Sequence, residues 1–153
     1  MPNTYSQIYV QVVFAVKGRQ NSIKESFREE LQKYITGIIN NNKQKLLAIY
    51  CMSDHTHLFL SIGPDITISD LVRDIKANST TFIKNKKWIP STFSWQVGFG
   101  AFSHSRSQAK DMVEYILNQP ERHKKVTFKE EYLEFLNKFE IKYDEEYLFE
   151  FNE

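Results

Sequence analysis

The sequence predicts an α+β fold: an antiparallel sheet assembled in the order β-α-β-β-α-β, two helices on one of its faces, and additional helices towards the C-terminus. Three observations carry this. Ile8, Val10, Val12, Phe14 and Val16 alternate with Tyr9, Gln11, Val13 and Ala15, which is the period of a strand with one buried face. Ile23, Phe27, Leu31, Tyr34, Ile35 and Ile38 then recur at helical spacing. Downstream the chain passes through two more strand patterns, a helical stripe and another strand pattern.

Each element can be justified in turn. Lys17 to Asn21 reads as a loop, and the first helix covers about 22–41, with Ser22 as its N-cap and Asn40-Asn41-Asn42 at its end. Leu46 to Met52 is short, apolar and β-favouring. Leu58 to Ile62 alternates after Ser53-Asp54, so two adjacent strands are expected, the second opening at His55. Gly63-Pro64-Asp65 breaks that strand. Ile68, Leu71, Val72, Ile75, Ser79, Phe82 and Ile83 mark a second helix with Thr67-Ile68-Ser69-Asp70 as its cap signature. It stops before Trp88-Ile89-Pro90, because a proline disfavours helix in its predecessor. Phe93, Trp95, Val97, Phe99 and Ala101 alternate as a fourth strand, with Gly98 and Gly100 on the opposite parity.

This order most often builds the split βαβ, or ferredoxin-like, antiparallel sheet. Ser105-Arg106-Ser107-Gln108 resembles a capping box that opens a helix to about Asn118, and Phe128, Tyr132, Phe135, Leu136 and Phe139 mark another. The expected organisation is a single domain over 1–153: a body over 1–104, a helix over 105–119 and an acidic helical tail over 120–153.

Composition narrows the class. The chain has 153 residues, one domain's worth, and its 41% hydrophobic and 14% aromatic content excludes a disordered chain. Cys51 is the only cysteine, which excludes a disulfide framework and a cysteine-based zinc knuckle. The longest apolar run, Leu46 to Met52, is too short to span a bilayer. No secretory signal is visible at the N-terminus, so a soluble protein of a reducing compartment is expected. The net charge of +1 conceals an asymmetry: residues 1–110 carry 14 basic and 7 acidic side chains, and residues 111–153 carry 6 and 12. A basic body with an acidic tail suits a polyanion-binding face, with the tail packed elsewhere.

His55-Thr56-His57 opens the third strand. Residues two apart on a strand point to the same side, and the core face is marked by Leu58, Leu60 and Ile62. His55 and His57 therefore share the other side with Phe59, where two imidazoles can converge on one cation. Taken alone, such a pair is more often two surface histidines.

Tyr115 and Gln119 form a second pair, one helical turn apart on the expected last helix of the site. The apolar stripe there is Ala109, Met112, Val113, Ile116 and Leu117. Tyr115 lies about 130° from its centre and Gln119 about 90°. Tyr115 is thus aimed away from its own helix's core contact. A third set is basic and aromatic: Lys17, Arg19, Arg73, Lys76, Lys84, Lys86, Lys87, Trp88, Arg106 and Lys110. Such cations attract phosphates, and an unstacked base can lie on an aromatic face.

Asp54-His55-Thr56-His57-Leu58-Phe59-Leu60, Trp95 to Ser103 and Tyr115-Ile116-Leu117-Asn118-Gln119 together resemble the small single-tyrosine transposases of the HUH superfamily (histidine, hydrophobic residue, histidine), the IS200-like and REP-associated type. The resemblance runs over roughly residues 5–125. It implies that His55, His57 and Gln119 are metal ligands and that Tyr115 is the nucleophile. It also implies a bacterial, cytoplasmic homodimer that binds hairpins in single-stranded DNA and uses a divalent metal, Mg²⁺ or Mn²⁺.

The residue types agree with that chemistry. A cation held by two imidazoles and an amide oxygen polarises a phosphodiester and leaves positions free for phosphate oxygen and water. Tyrosine, with an ordinary pKa near 10, needs activation to attack. Attack gives a 5′-phosphotyrosine link and a free 3′-hydroxyl, so strands can be rejoined without ATP. The chain departs from the pattern in having Thr56 between the histidines, and at Gln11, Phe99 and His104. An alternative is a non-catalytic, domesticated single-stranded nucleic-acid-binding protein on the same fold. A small metalloenzyme acting on nucleotides or sugars lacks support, since no glycine-rich phosphate loop is present.

Overall fold

The computed structural model describes residues 3–18, 21–89 and 92–151. Arg19 and Pro90 lie outside the described residues. The expected α+β architecture is present. Strands β1 (Tyr9–Ala15), β2 (Lys45–Cys51), β3 (His55–Ser61) and β4 (Gly100–His104) form one antiparallel sheet in the order β2-β3-β1-β4. Helices α1 (Glu25–Asn41) and α2 (Ile68–Lys86) pack on one face. Helices α3 (Ala109–Leu117), α4 (Gln119–Arg122) and α5 (Phe128–Lys138) follow the sheet.

The alternation in β1 separates two cores. Val10, Val12 and Phe14 join Leu58 and Leu60 of β3 beneath Phe27, Leu31 and Ile35 of α1 and Leu71, Val72 and Ile75 of α2. Val13 and Ala15, on the opposite parity, join Phe102 beneath Phe128, Tyr132, Phe135 and Leu136 of α5 and Phe149. A third cluster ties α3 to the sheet through Met112 and Ile116 on Ala48 and Phe59. The histidine-bearing face, expected to lie outside the core, is therefore roofed by the C-terminal helices.

Two boundaries differ from expectation. Helix α1 begins at Glu25 after Lys24, which supplies no side-chain cap, so Ser22 is not the N-cap. Thr67 does cap α2, its hydroxyl accepting from the Asp70 N–H at 3.0 Å. The fourth strand starts only at Gly100. The expected stretch from Phe93 makes a single bridge between Val16 and Trp95, and its alternation fails at Val97, which is fully exposed. Gly98, at φ +88°, turns the chain there, a conformation open to glycine. Phe93 and Trp95 nevertheless enter the first core. Gly100 is needed for a different reason: a Cβ there would lie 2.7 Å from the Tyr132 hydroxyl of α5.

Candidate metal centre and tyrosine

β3 is an inner strand, with His57 paired to Val13 of β1 and Tyr50 of β2, and His55 paired to Ala15. Both imidazoles are buried, at 1% and 0% exposure, on the face away from α1 and α2. Thr56 takes the opposite parity. The hydrophobic residue of the resembled motif is thus replaced by a hydroxyl directed towards the first core, and the histidine face is unaffected.

Tyr115 and Gln119 arrive from the sequence-distant end. α3 stops at Leu117 because Pro120 has no N–H to continue it. Gln119 then starts α4 instead of riding on the same continuous helix as Tyr115, which corrects the simple one-turn spacing. The Asn118 N–H still bonds to the Glu114 carbonyl at 3.0 Å, and the two side chains remain neighbours. Gln119 is fully buried, with its Oε1 3.3 Å from His55 Nε2. The Tyr115 ring lies 6.1 Å from that of His57. All four expected site residues therefore meet, within one chain.

Two more residues join them. Glu131 of α5 is 1% exposed and sits at the middle of the group. Its Oε1 accepts from His57 Nε2 at 2.9 Å and lies 3.2 Å from His123 Nε2 and 3.8 Å from His55 Nε2. Its Oε2 accepts from the Tyr115 hydroxyl, from Gln119 Nε2 at 3.0 Å and from Arg122 Nε at 3.2 Å. His123 Nε2 is 2.8 Å from Gln119 Oε1. Arg122 also lies over the Tyr115 ring, 5.0 Å from its centroid. Phe128, at the start of α5, stacks on His55 with centroids 3.9 Å apart.

Sequence reasoning did not place Glu131, Arg122 or His123 in this site. Glu131 sits within an amphipathic helix among nine other acidic residues of the tail over 120–153, and nothing local marks it. The available signal was its position directly before Tyr132, within the apolar stripe Phe128, Tyr132 and Phe135, where a carboxylate is carried into the core.

Electrostatics follow from this packing. Burial pushes the Glu131 carboxyl up, but the facing His57, His123 and His55 outweigh it and hold it well below the usual range. Burial, and then the Glu131 charge, push the Tyr115 phenol up, so in this arrangement it is a held, neutral hydroxyl. Burial pulls His57 down despite Glu131, whereas hydrogen bonding and charge from Glu131 raise His123 against its burial. Asp54, which accepts from His55 Nδ1 at 2.7 Å, is lowered: burial opposes the shift and the His55 bond overcomes it.

The donor set suits a divalent cation: imidazole nitrogens, an amide oxygen and a carboxylate, with the atoms of His55, His57, His123 and Glu131 all within 4.8 Å of one another. Tyr115 borders a cleft of about 800 Å³ with Asn118, Arg122 and Lys125 along its wall.

The expected basic residues are spread out. Arg73, Lys76, Lys84 and Lys86 lie on α2, and Lys87 caps it, behind the sheet from the histidines. Arg73 pairs with Asp70, Lys86 lies 3.5 Å from Glu30, and Lys76 donates to the Gln96 and Gly98 carbonyls at 2.8 and 2.6 Å. Lys17 is exposed at the end of β1. Arg106 and Lys110 stand at the start of α3, beside Tyr9 and Val113.

A family model described as "Transposase IS200 like" matches residues 4–119. Two solved structures are similar in fold. A Deinococcus radiodurans R1 protein designated a transposase is 22% identical, with a TM-score of 0.60, covering 76% of this chain and 94% of its own. A REP-associated tyrosine transposase bound to a REP hairpin is 18% identical, with a TM-score of 0.61, covering 81% and 73%. No curated protein matches the sequence.

Proposed function

The chain belongs to the IS200-like transposase family, and from that premise we propose that it is a metal-dependent transposase that binds hairpins in single-stranded DNA and cleaves and rejoins strands through a 5′-phosphotyrosine intermediate. The observation that carries this reading is the convergence of the Tyr115 hydroxyl and the Gln119 amide, from late helices, on His55 and His57 of an inner strand. The alternative of a non-catalytic binding module gives no reason to bury two imidazoles, an amide and a phenol together.

His55, His57 and Gln119 would hold the ion, Mg²⁺ or Mn²⁺, which when bound supplies charge to polarise the scissile phosphate. Asp54 orients His55 by accepting from its outer nitrogen, which directs the other nitrogen inwards. The Tyr115 oxygen would form the bond to phosphorus as the 3′ oxygen leaves, and its proton, held at Glu131 Oε2, would be relayed to that leaving oxygen to give the free 3′-hydroxyl. Rejoining is the reverse transfer to a 3′-hydroxyl. The hairpin seen on the REP-associated relative supports hairpin DNA as the partner. The resemblance supports a homodimer in the bacterial cytoplasm, and among the described residues no helix is long and apolar enough to cross a membrane.

The test is Tyr115→Phe incubated with a labelled single-stranded hairpin substrate. Covalent protein–DNA adduct is expected to vanish while hairpin binding persists. Full adduct formation by this variant would end the assignment of the nucleophile.

A further inference from the structure

We propose that Glu131 and His123 are two further ligands of the same ion, so that this chain builds a three-imidazole, carboxylate and amide cage that selects a transition-metal cation over Mg²⁺. The inference rests on the metal centre proposed above and extends it to residues beyond the family match, which ends at residue 119.

The orientation of the imidazoles carries it. His55 Nδ1 is engaged by Asp54 Oδ1 at 2.7 Å, and His123 Nδ1 by the Val126 carbonyl at 2.8 Å. Both outer partners are acceptors, so the proton of each neutral ring belongs on Nδ1, and each inner Nε2 presents a lone pair. Those lone pairs face oxygens: His55 Nε2 meets Gln119 Oε1 at 3.3 Å, and His123 Nε2 meets Gln119 Oε1 at 2.8 Å and Glu131 Oε1 at 3.2 Å. With the rings neutral, acceptors point at acceptors in a buried site, an arrangement that a cation between them satisfies. An outer hydrogen bond to carboxylate or carbonyl is also the usual support of a metal-bound histidine.

His57 differs in detail. Its Nδ1 lies 3.0 Å from Gln11 Nε2, and its Nε2 donates to Glu131 Oε1. Ligation moves that proton to Nδ1, and Gln11 accepts it by turning its amide over, which places its Nε2 against His104 Nε2 in place of the Oε1 now 3.3 Å from it.

The distances fit one coordination shell. Neighbouring donors around an octahedral ion with bonds near 2.1 Å are about 3.0 Å apart. The five inner contacts here run from 2.8 to 3.8 Å. The widest pair in the cluster, within 4.8 Å, closes on an ion with a movement of about half an ångström. Glu131 turns Oε1 to this centre while Oε2 keeps the Tyr115 hydroxyl, so a single carboxylate links ion and nucleophile. Three imidazoles suit the later first-row cations, whereas Mg²⁺ favours oxygen and water.

The experiment is calorimetric titration of the chelator-treated full chain with Mn²⁺, Zn²⁺ and Mg²⁺. Zn²⁺ is expected to bind at least 100-fold more tightly than Mg²⁺, with Mn²⁺ between the two. Glu131→Gln and His123→Ala should each weaken Mn²⁺ binding by 10-fold or more. If both variants bind within threefold of the parent, or Mg²⁺ binds as well as Mn²⁺, the inference is overturned. His55→Ala separates the two levels: loss of binding there with no effect of Glu131→Gln or His123→Ala leaves the three-ligand centre standing, whereas retention in His55→Ala removes the centre itself. Should the variants not fold, pulsed EPR of the unaltered Mn²⁺-loaded chain decides, three coupled imidazole nitrogens supporting the cage and two overturning it.

Discussion

His57 Nε2 on β3 donates to Glu131 Oε1 on α5 across 2.9 Å, joining residues 74 positions apart inside a fully buried pair. The last long helix thereby closes over the histidine strand. Whatever occupies the site must exchange with, or bind alongside, that carboxylate.

Removing the ion should stop the chemistry without unmaking the DNA complex. EDTA is expected to abolish adduct formation on a hairpin substrate, and Mn²⁺ should restore it, with mobility-shift binding largely unchanged throughout. Adduct at full rate in excess chelator would contradict metal dependence.

Stability of the chelated protein should fall on the acid side. The folded Glu131 carboxyl lies well below its ordinary value of 4.5, so its contribution is present above that pH and is lost as pH drops below it. His57, lowered from 6.5 in the fold, adds to the loss, because the unfolded chain takes up that proton first as pH falls through 6.5. His123 is raised and works the other way, losing its contribution as pH climbs above 6.5. Thermal melts in EDTA should therefore show Tm decreasing from pH 6 to pH 3, and Glu131→Gln should flatten the part of that limb below pH 4.5.

Gly100→Ala should loosen α5. The added methyl would sit 2.7 Å from the Tyr132 hydroxyl and 2.8 Å from its ring, in a buried contact that cannot simply swing aside. A cost of about 1–3 kcal/mol is expected from such overpacking. Combining it with Tyr132→Leu should cost less than the sum of the single changes, measured by urea unfolding.

Salt dependence can sort the basic residues. Arg106 and Lys110 flank α3 on the site's side of the sheet, whereas Lys84 and Lys87 lie at the end of α2 behind it. Replacing Arg106 or Lys110 with Ala should reduce the slope of log affinity against log salt by about 1 each. Lys84→Ala and Lys87→Ala should leave the slope nearly unchanged.

Much of the fold was legible along the chain. Period two in β1 and helical spacing in α1 and α2 are local consequences of which face is buried, and the β-α-β-β-α-β order leaves few ways to pair the strands. The pattern misled at Phe93 to Phe99, where burial of Phe93 and Trp95 mimics a strand although only one bridge forms. There alternation reports side-chain burial, while strand identity depends on a partner backbone that is out of reach once Gly98 turns the chain.

For the site, the sequence alone determined that His55 and His57 share a face and that Tyr115 points off its helix's stripe, because both follow from backbone periodicity. Only the tertiary structure decided that Glu131 and His123 join them. Their placement comes from packing Phe128, Tyr132 and Phe135 onto Val13, Ala15 and Phe102, a long-range burial that no spacing encodes. The same burial strips water from the carboxylate and leaves the imidazoles as its partners, which is why an ordinary glutamate of an acidic tail becomes the centre of the cluster.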